Sequence, residues 1–119
     1  MIERLQERVN ADVRLVHRGR FVNTTFLLEI GADAWLVRIV DGRIHEVVRG
    51  PVVMPRWTFA LRASAEAWQQ FWSAVPPPGF HDLLALVKFG RLKVEGDMHA
   101  FMANLFYFKG VLASVRPRA

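Results

Sequence analysis

The sequence predicts an α+β domain, because two different periodicities divide it. From Val13 to Arg62 short apolar–polar alternations are separated by glycine turns, the period of half-buried strands. From Ser64 onward apolar residues recur at helical spacing, and only Arg91–Glu95 returns to alternation. Strand runs followed mostly by helical runs imply helices laid over one face of a largely antiparallel sheet. At 119 residues and 52% apolar content the chain is expected to be one domain, residues 1–119, with a substantial core.

Ile2 to Val9 reads as a short amphipathic helix, with Ile2, Leu5 and Val9 on one side. Val13 to His17 alternates and reads as a first strand. Phe21 to Ile30 follows, with Phe26, Leu28 and Ile30 sharing a face. Gly31-Ala32-Asp33 turns the chain into Ala34–Val40, which ends at Asp41-Gly42, a tight-hairpin dipeptide. Ile44–Val48 is the next strand, ended by Gly50-Pro51; Trp57 to Arg62 alternates as another. Ser64 is placed to cap a helix carrying Ala65, Trp68, Phe71 and Trp72, which Pro76-Pro77-Pro78-Gly79 stops. Phe80, Leu83, Leu84 and Val87 mark a helix over Phe80–Phe89. Glycines 90 and 96 then bracket the strand Arg91–Glu95. Asp97 caps a terminal helix expected to run from Met98 to Val115.

Several chemistries find no footing. Without cysteine there is no disulfide framework, thiol nucleophile or thiolate-held metal, which fits a reducing, cytoplasmic setting. The N-terminal Met1–Arg8 mixes both charges, unlike a signal peptide, and no run approaches a membrane span. His17, His45, His81 and His99 suggest no metal-binding face, and the glycines form no phosphate-binding loop or nucleophile elbow. No catalytic residue, metal or cofactor is nominated. The net charge of +5 is carried by dispersed arginines, of which Arg14, Arg18 and Arg20 are the closest cluster. Aromatics packed into apolar runs, not interleaved with basic residues, argue against nucleic acid as a specific partner.

The apolar surplus of the C-terminal half is the informative feature. Phe106, Tyr107 and Phe108 are consecutive, so they point roughly 100° apart around a helix and cannot share one face. A second surface, a partner or a cavity must receive some of them. Met98 and Met102 add flexible side chains suited to an adaptable apolar wall.

Gly90-Arg91-Leu92-Lys93-Val94-Glu95-Gly96-Asp97-Met98 resembles the Gly-Lys-Leu-Lys-Ile-x-Gly-Asn/Asp-Met signature of the sterol carrier protein type 2 (SCP-2) family. Thr58–Ser64 with Trp68–Trp72 is similar to that family's last hairpin strand and the helix after it. Lys88-Phe89 stand where the family commonly has an aromatic and then a polar residue, and three prolines replace a more varied loop. The resemblance implies an α+β sandwich, a five-stranded mainly antiparallel sheet covered by helices enclosing an apolar tunnel. It implies non-catalytic binding or transfer of a fatty acid, acyl-CoA, sterol-like or isoprenoid lipid by a free-standing, bacterial-type protein. By position the tunnel wall would comprise Trp68, Phe71 and Trp72, then Leu83, Leu84 and Val87, then Phe101, Met102, Leu105 and Phe106. Arg56, Arg62 and Arg91 are candidates for a lipid head group. The alternative expectation is an interaction or membrane-surface accessory module, as in isoprenoid-quinone synthesis. Its aromatic terminal helix would then cover a second copy in a homodimer or lie on an anionic bilayer.

Overall fold

The alternating runs meet in a single sheet. The computed structural model describes residues 2–50 and 56–117, so Pro51, Arg118 and Ala119 lie outside the described residues. Its strands are β1 (Thr24–Ile30), β2 (Asp33–Val40), β3 (Arg43–Arg49), β4 (Phe59–Ala63) and β5 (Leu92–Gly96). They lie in the order β3-β2-β1-β4-β5. Every neighbouring pair is antiparallel except the central β1 and β4, which run parallel, so the sheet is mixed. A single 3₁₀ turn (Ile2–Arg4) leads into α1 (Leu5–Ala11) and α2 (Val13–Arg18). After β4 come α3 (Ala65–Phe71) and α4 (Leu83–Lys88); after β5 come α5 (Met98–Met102) and α6 (Leu105–Ala113).

Register decides which side chains face the helices. Phe26 is level with Val37 on β2 and with Phe59 on β4, and Leu28 is level with Trp35 and Leu61. Directly opposed residues point to one face, so these and Val94, opposite Leu61, share the core side. On β3 the core-side residues are Ile44 and Val47, three apart. A bulge opposite Arg38/Ile39 absorbs the extra residue and keeps both on that face. The β2–β3 hairpin turns through Asp41 (φ 50°) and Gly42 (φ 79°), the left-handed pair that a two-residue loop requires.

Three expectations are corrected. Val13–His17 is not a strand but α2. Asp12 caps it through a 3.1 Å bond from the Leu15 amide, and Leu15 packs so closely on Gly110 of α6 that a Cβ there would lie 2.6 Å away. A five-residue alternation is too short to outweigh a cap and a buried contact. The terminal helix is not continuous: it breaks at Ala103–Asn104 into α5 and α6. The break re-aims the chain so that Phe101 and Phe108 both reach the core. Helix α4 also starts later than Phe80, at Leu83, because Asp82 accepts from the Leu84 amide as its cap. The caps expected at Ser64 and Asp97 form, accepting from the Ala67 and Ala100 amides at 3.0 Å each.

The edge of β3 is covered by α1. Asn10 donates to the Ile44 carbonyl at 2.9 Å and accepts from the Ile44 amide at 2.8 Å, while Gln6 reaches the Ile44 and His45 carbonyls. A side-chain amide thus imitates a neighbouring strand and blunts an otherwise open edge.

Tyr107 joins three elements. Its hydroxyl donates to the Gly42 carbonyl at 2.8 Å, and its ring lies where a Cβ on Gly19 would come within 2.1 Å. Gly19 is therefore a close-approach glycine. Burial pushes the Tyr107 phenol well above its ordinary range. The folded state thus favours the protonated form. Its stability advantage is full below the unfolded value of about 10 and is lost as pH rises from there through the raised folded one. Tyr107 is the chain's one tyrosine. Tyr107→Phe should cost about 1 kcal/mol at pH 7 by urea unfolding. The same variant should show a shallower loss of stability above pH 10 than wild type.

Candidate functional site

The last two helices are seated on an aromatic cluster. Parallel pairing stacks Phe26 on Phe59, with centroids 5.3 Å apart and planes 3° from parallel. Phe108 of α6 meets both rings edge-on at 5.8 and 5.0 Å, and Phe101 of α5 lies 5.4 Å from Phe59. With Phe108 turned to the sheet and Tyr107 toward the hairpin, helical geometry drives Phe106 outward, where it is 71% exposed.

A second aromatic group fills the space over β1 and α6. Trp68 and Trp72 stack at 5.2 Å, and Phe71 meets Trp68 edge-on at 5.7 Å. The Trp68 indole donates to the Glu29 carbonyl at 2.9 Å, and that of Trp72 donates to the Leu112 carbonyl at 2.8 Å. Both polar ends are satisfied, so these rings are held in place. Arg116 closes this side: it donates to the Phe71 and His81 carbonyls, and its guanidinium sits 4.3 Å over the Phe71 ring.

The ten residues nominated from sequence therefore separate by environment. Trp68, Phe71, Trp72, Leu83 and Phe101 are buried in the core. Val87 and Leu105 are half-buried. Leu84, Met102 and Phe106 are exposed, Leu84 on α4 and the other two at the α5–α6 break. Met102, Leu105 and Phe106 come together in a pocket of about 570 Å³, completed by Ala103, Asn104, Tyr107 and Arg18. Arg18, at the end of α2, puts a guanidinium beside this apolar wall. Sequence reasoning noticed it only within the loose Arg14–Arg20 cluster, because nothing local shows that α2 ends beside α6.

The other arginines considered for a head group have different surroundings. Arg62 pairs with Glu29 and lies 3.2 Å from Glu95, which Lys93 also approaches at 3.3 Å. This ion row spans β1, β4 and β5 on the face away from the helices. Arg91 stacks over Phe80 at 4.3 Å and Phe89 at 5.4 Å. Arg56 is exposed before β4. Among the described residues no three His, Asp or Glu side chains converge on a point that would hold a metal, and no helix is long and apolar enough to cross a membrane.

Backbone comparison with solved structures is decisive for the architecture. The crystal structure of sterol carrier protein 2 superposes with a TM-score of 0.77 over 98% of this chain and 94% of that one. The fold is that of sterol carrier protein 2. Sequence identity over that match is 12%. A conserved hypothetical protein from Thermus thermophilus shares the SCP-2 fold at a TM-score of 0.70, with 13% identity, 93% of this chain and 82% of that one. Palmitated SCP2L2 from Aedes aegypti matches at 0.58, with 20% identity and 89% of each chain. No family model matches the sequence, and no curated protein matches it either. The SCP-2 fold is thus carried here at low sequence identity.

Neighbouring phenylalanines should respond oppositely to truncation. Phe101→Ala should cost about 3–5 kcal/mol in denaturant unfolding, as a buried aromatic does. Phe106→Ala should stay within about 0.5 kcal/mol of wild type.

Proposed function

We propose that this chain binds a long apolar molecule (a fatty acid, an acyl-CoA, a sterol-like or an isoprenoid lipid) and carries it without chemical change. The observation that carries the reading is the pocket walled by Met102, Leu105 and Phe106 with Arg18 at its edge. Its volume of about 570 Å³ falls within the range of small-molecule sites. An apolar wall with one cation suits an amphiphile: the tail is desolvated along the methionine and leucine, and the head group meets a guanidinium. The SCP-2 fold supports the same reading.

The energetics are adequate without further polar contacts. Burying hydrocarbon is worth about 0.8 kcal/mol per CH₂, so about sixteen carbons offer on the order of 12 kcal/mol if fully covered. Ordering the chain and leaving part of it in water removes much of that, which leaves room for micromolar binding. Flexible Met102 and exposed Phe106 can close over ligands of different shape, so the site is expected to select by length and bulk more than by functional group.

Delipidated protein should bind the fluorescent fatty acid cis-parinaric acid, and Met102→Asp, which sets a charge in the apolar wall, should weaken binding roughly tenfold or more. Arg18→Gln should weaken cis-parinaric acid by about tenfold while leaving its methyl ester unchanged. Absence of probe binding, or equal binding by all three proteins, would overturn the reading.

A further inference from the structure

The strand register places several dispersed features at one end of the molecule. Thr24 at the start of β1 is level with Ile39, and Phe59 at the start of β4 is level with Phe26 and with Gly96 at the end of β5. The α2–β1 turn, the β2–β3 hairpin, the approach to β4 and helix α5 therefore gather at this end. Gly19, packed on the Tyr107 ring, ties the α2–β1 turn to the first turn of α6.

This end carries an unusual surface. Phe21 is 83% exposed, Phe106 71%, and Met98 and Met102 just under half. Exposed cations stand with them: Arg18 and Arg20 flank the turn, Arg43 follows the hairpin and Arg56 precedes β4. The acidic groups at this end are Asp41 in the hairpin turn, Glu46, which is level with Arg38 on β2, and Asp97, which is occupied in capping α5. Arg38, His17, His45 and His99 also stand there. The balance is positive.

We propose that this end docks on an anionic lipid bilayer, with Phe21 and Phe106 entering the head-group region and the surrounding arginines meeting lipid phosphates. The pairing of Arg20 with Phe21 carries the choice of a bilayer. The guanidinium lies 4.8 Å over the ring and also donates to the His17 carbonyl at 2.8 Å, so cation and aromatic stand together. That pairing suits the depth at which acyl chains give way to phosphates. Apolar groups spread over the α2–β1 turn, α5 and α6, with cations among them, suit a fluid surface that adapts to them. The pocket holding Met102 and Phe106 belongs to the same end, so docking would bring it to the lipid. The docking surface does not depend on what the pocket binds.

The test is co-sedimentation of the full chain with phosphatidylcholine vesicles, with and without phosphatidylglycerol. Wild type should bind the anionic vesicles, bind neutral ones poorly, and release as salt rises. Arg18→Gln combined with Arg20→Gln should weaken binding roughly thirtyfold, and Phe21→Ser by about tenfold. Phe89→Ser, 58% exposed at the opposite end, should bind like wild type. Phe21 and Arg20 do not line the pocket, so Phe21→Ser and Arg20→Gln should keep solution binding of cis-parinaric acid, which separates failure of docking from failure of ligand binding. Equal vesicle binding by Phe21→Ser and wild type would overturn the proposal. So would a dimer seen by light scattering that Phe21→Ser abolishes while wild type ignores vesicles.

Discussion

The parallel register of β1 against β4 sets Phe26 face to face with Phe59, and the last two helices are seated on that pair. Phe101 and Phe108 close over it from α5 and α6. The rings come from β1, from β4 and from the consecutive helices α5 and α6, so the cluster exists only when β4 has paired with β1. Each buried aromatic contributes several kcal/mol of stabilisation through area alone, with favourable edge-to-face geometry in addition. Moving β4 by one residue would put Phe59 on the outer face and leave both helices without a seat.

The same constraint decides what is left outside. A helix that must turn Phe108 to the sheet and Tyr107 to the Gly42 carbonyl cannot also bury Phe106. The break at Ala103–Asn104 lets α5 bury Phe101 independently, but it leaves Met98 and Met102 outward. Exposed apolar surface at the α5–α6 corner is therefore a consequence of core packing. Arg18 is beside it because Gly19 and Gly110 let α2 approach α6 closely, through the Tyr107 ring and Leu15 respectively.

Legibility in the sequence followed the range of each interaction. The hairpin at Asp41-Gly42, the caps at Ser64 and Asp97 and the alternation of β1, β2, β4 and β5 are local signals, and each is where the residues indicate. Val13–His17 misled because its alternation fits a strand as well as a two-turn helix. The deciding contacts, Asp12 with Leu15 and Leu15 with Gly110, are partly long-range. The nominated wall combined core residues with corner residues for a related reason. Trp68 and Trp72 are apolar and helical in pattern whether they line a space or fill one. Only the distances show them stacked on each other, with indole N–H groups bound to Glu29 and Leu112 carbonyls. Arg18 gave no local signal at all.

The two ends of the sheet also explain why charge reads as dispersed along the chain yet is segregated in space. Arg62, Glu29, Glu95 and Lys93 are spread over residues 29–95 but form one cross-strand row, where partial exposure limits each pair to a modest contribution. Arg8 and Arg116 are spent on carbonyls at the end of α6 and on α3, where they stand in for missing helical partners. Arg91 lies over Phe80 and Phe89. Among the arginines left over are Arg18, Arg20, Arg43 and Arg56, none of which is held by a carboxylate ion pair among the described residues. They stand at the same end as Phe21, Met98, Met102 and Phe106. Positive charge held by no carboxylate, placed beside apolar groups that the core cannot accommodate, is free to meet an anionic, partly apolar surface.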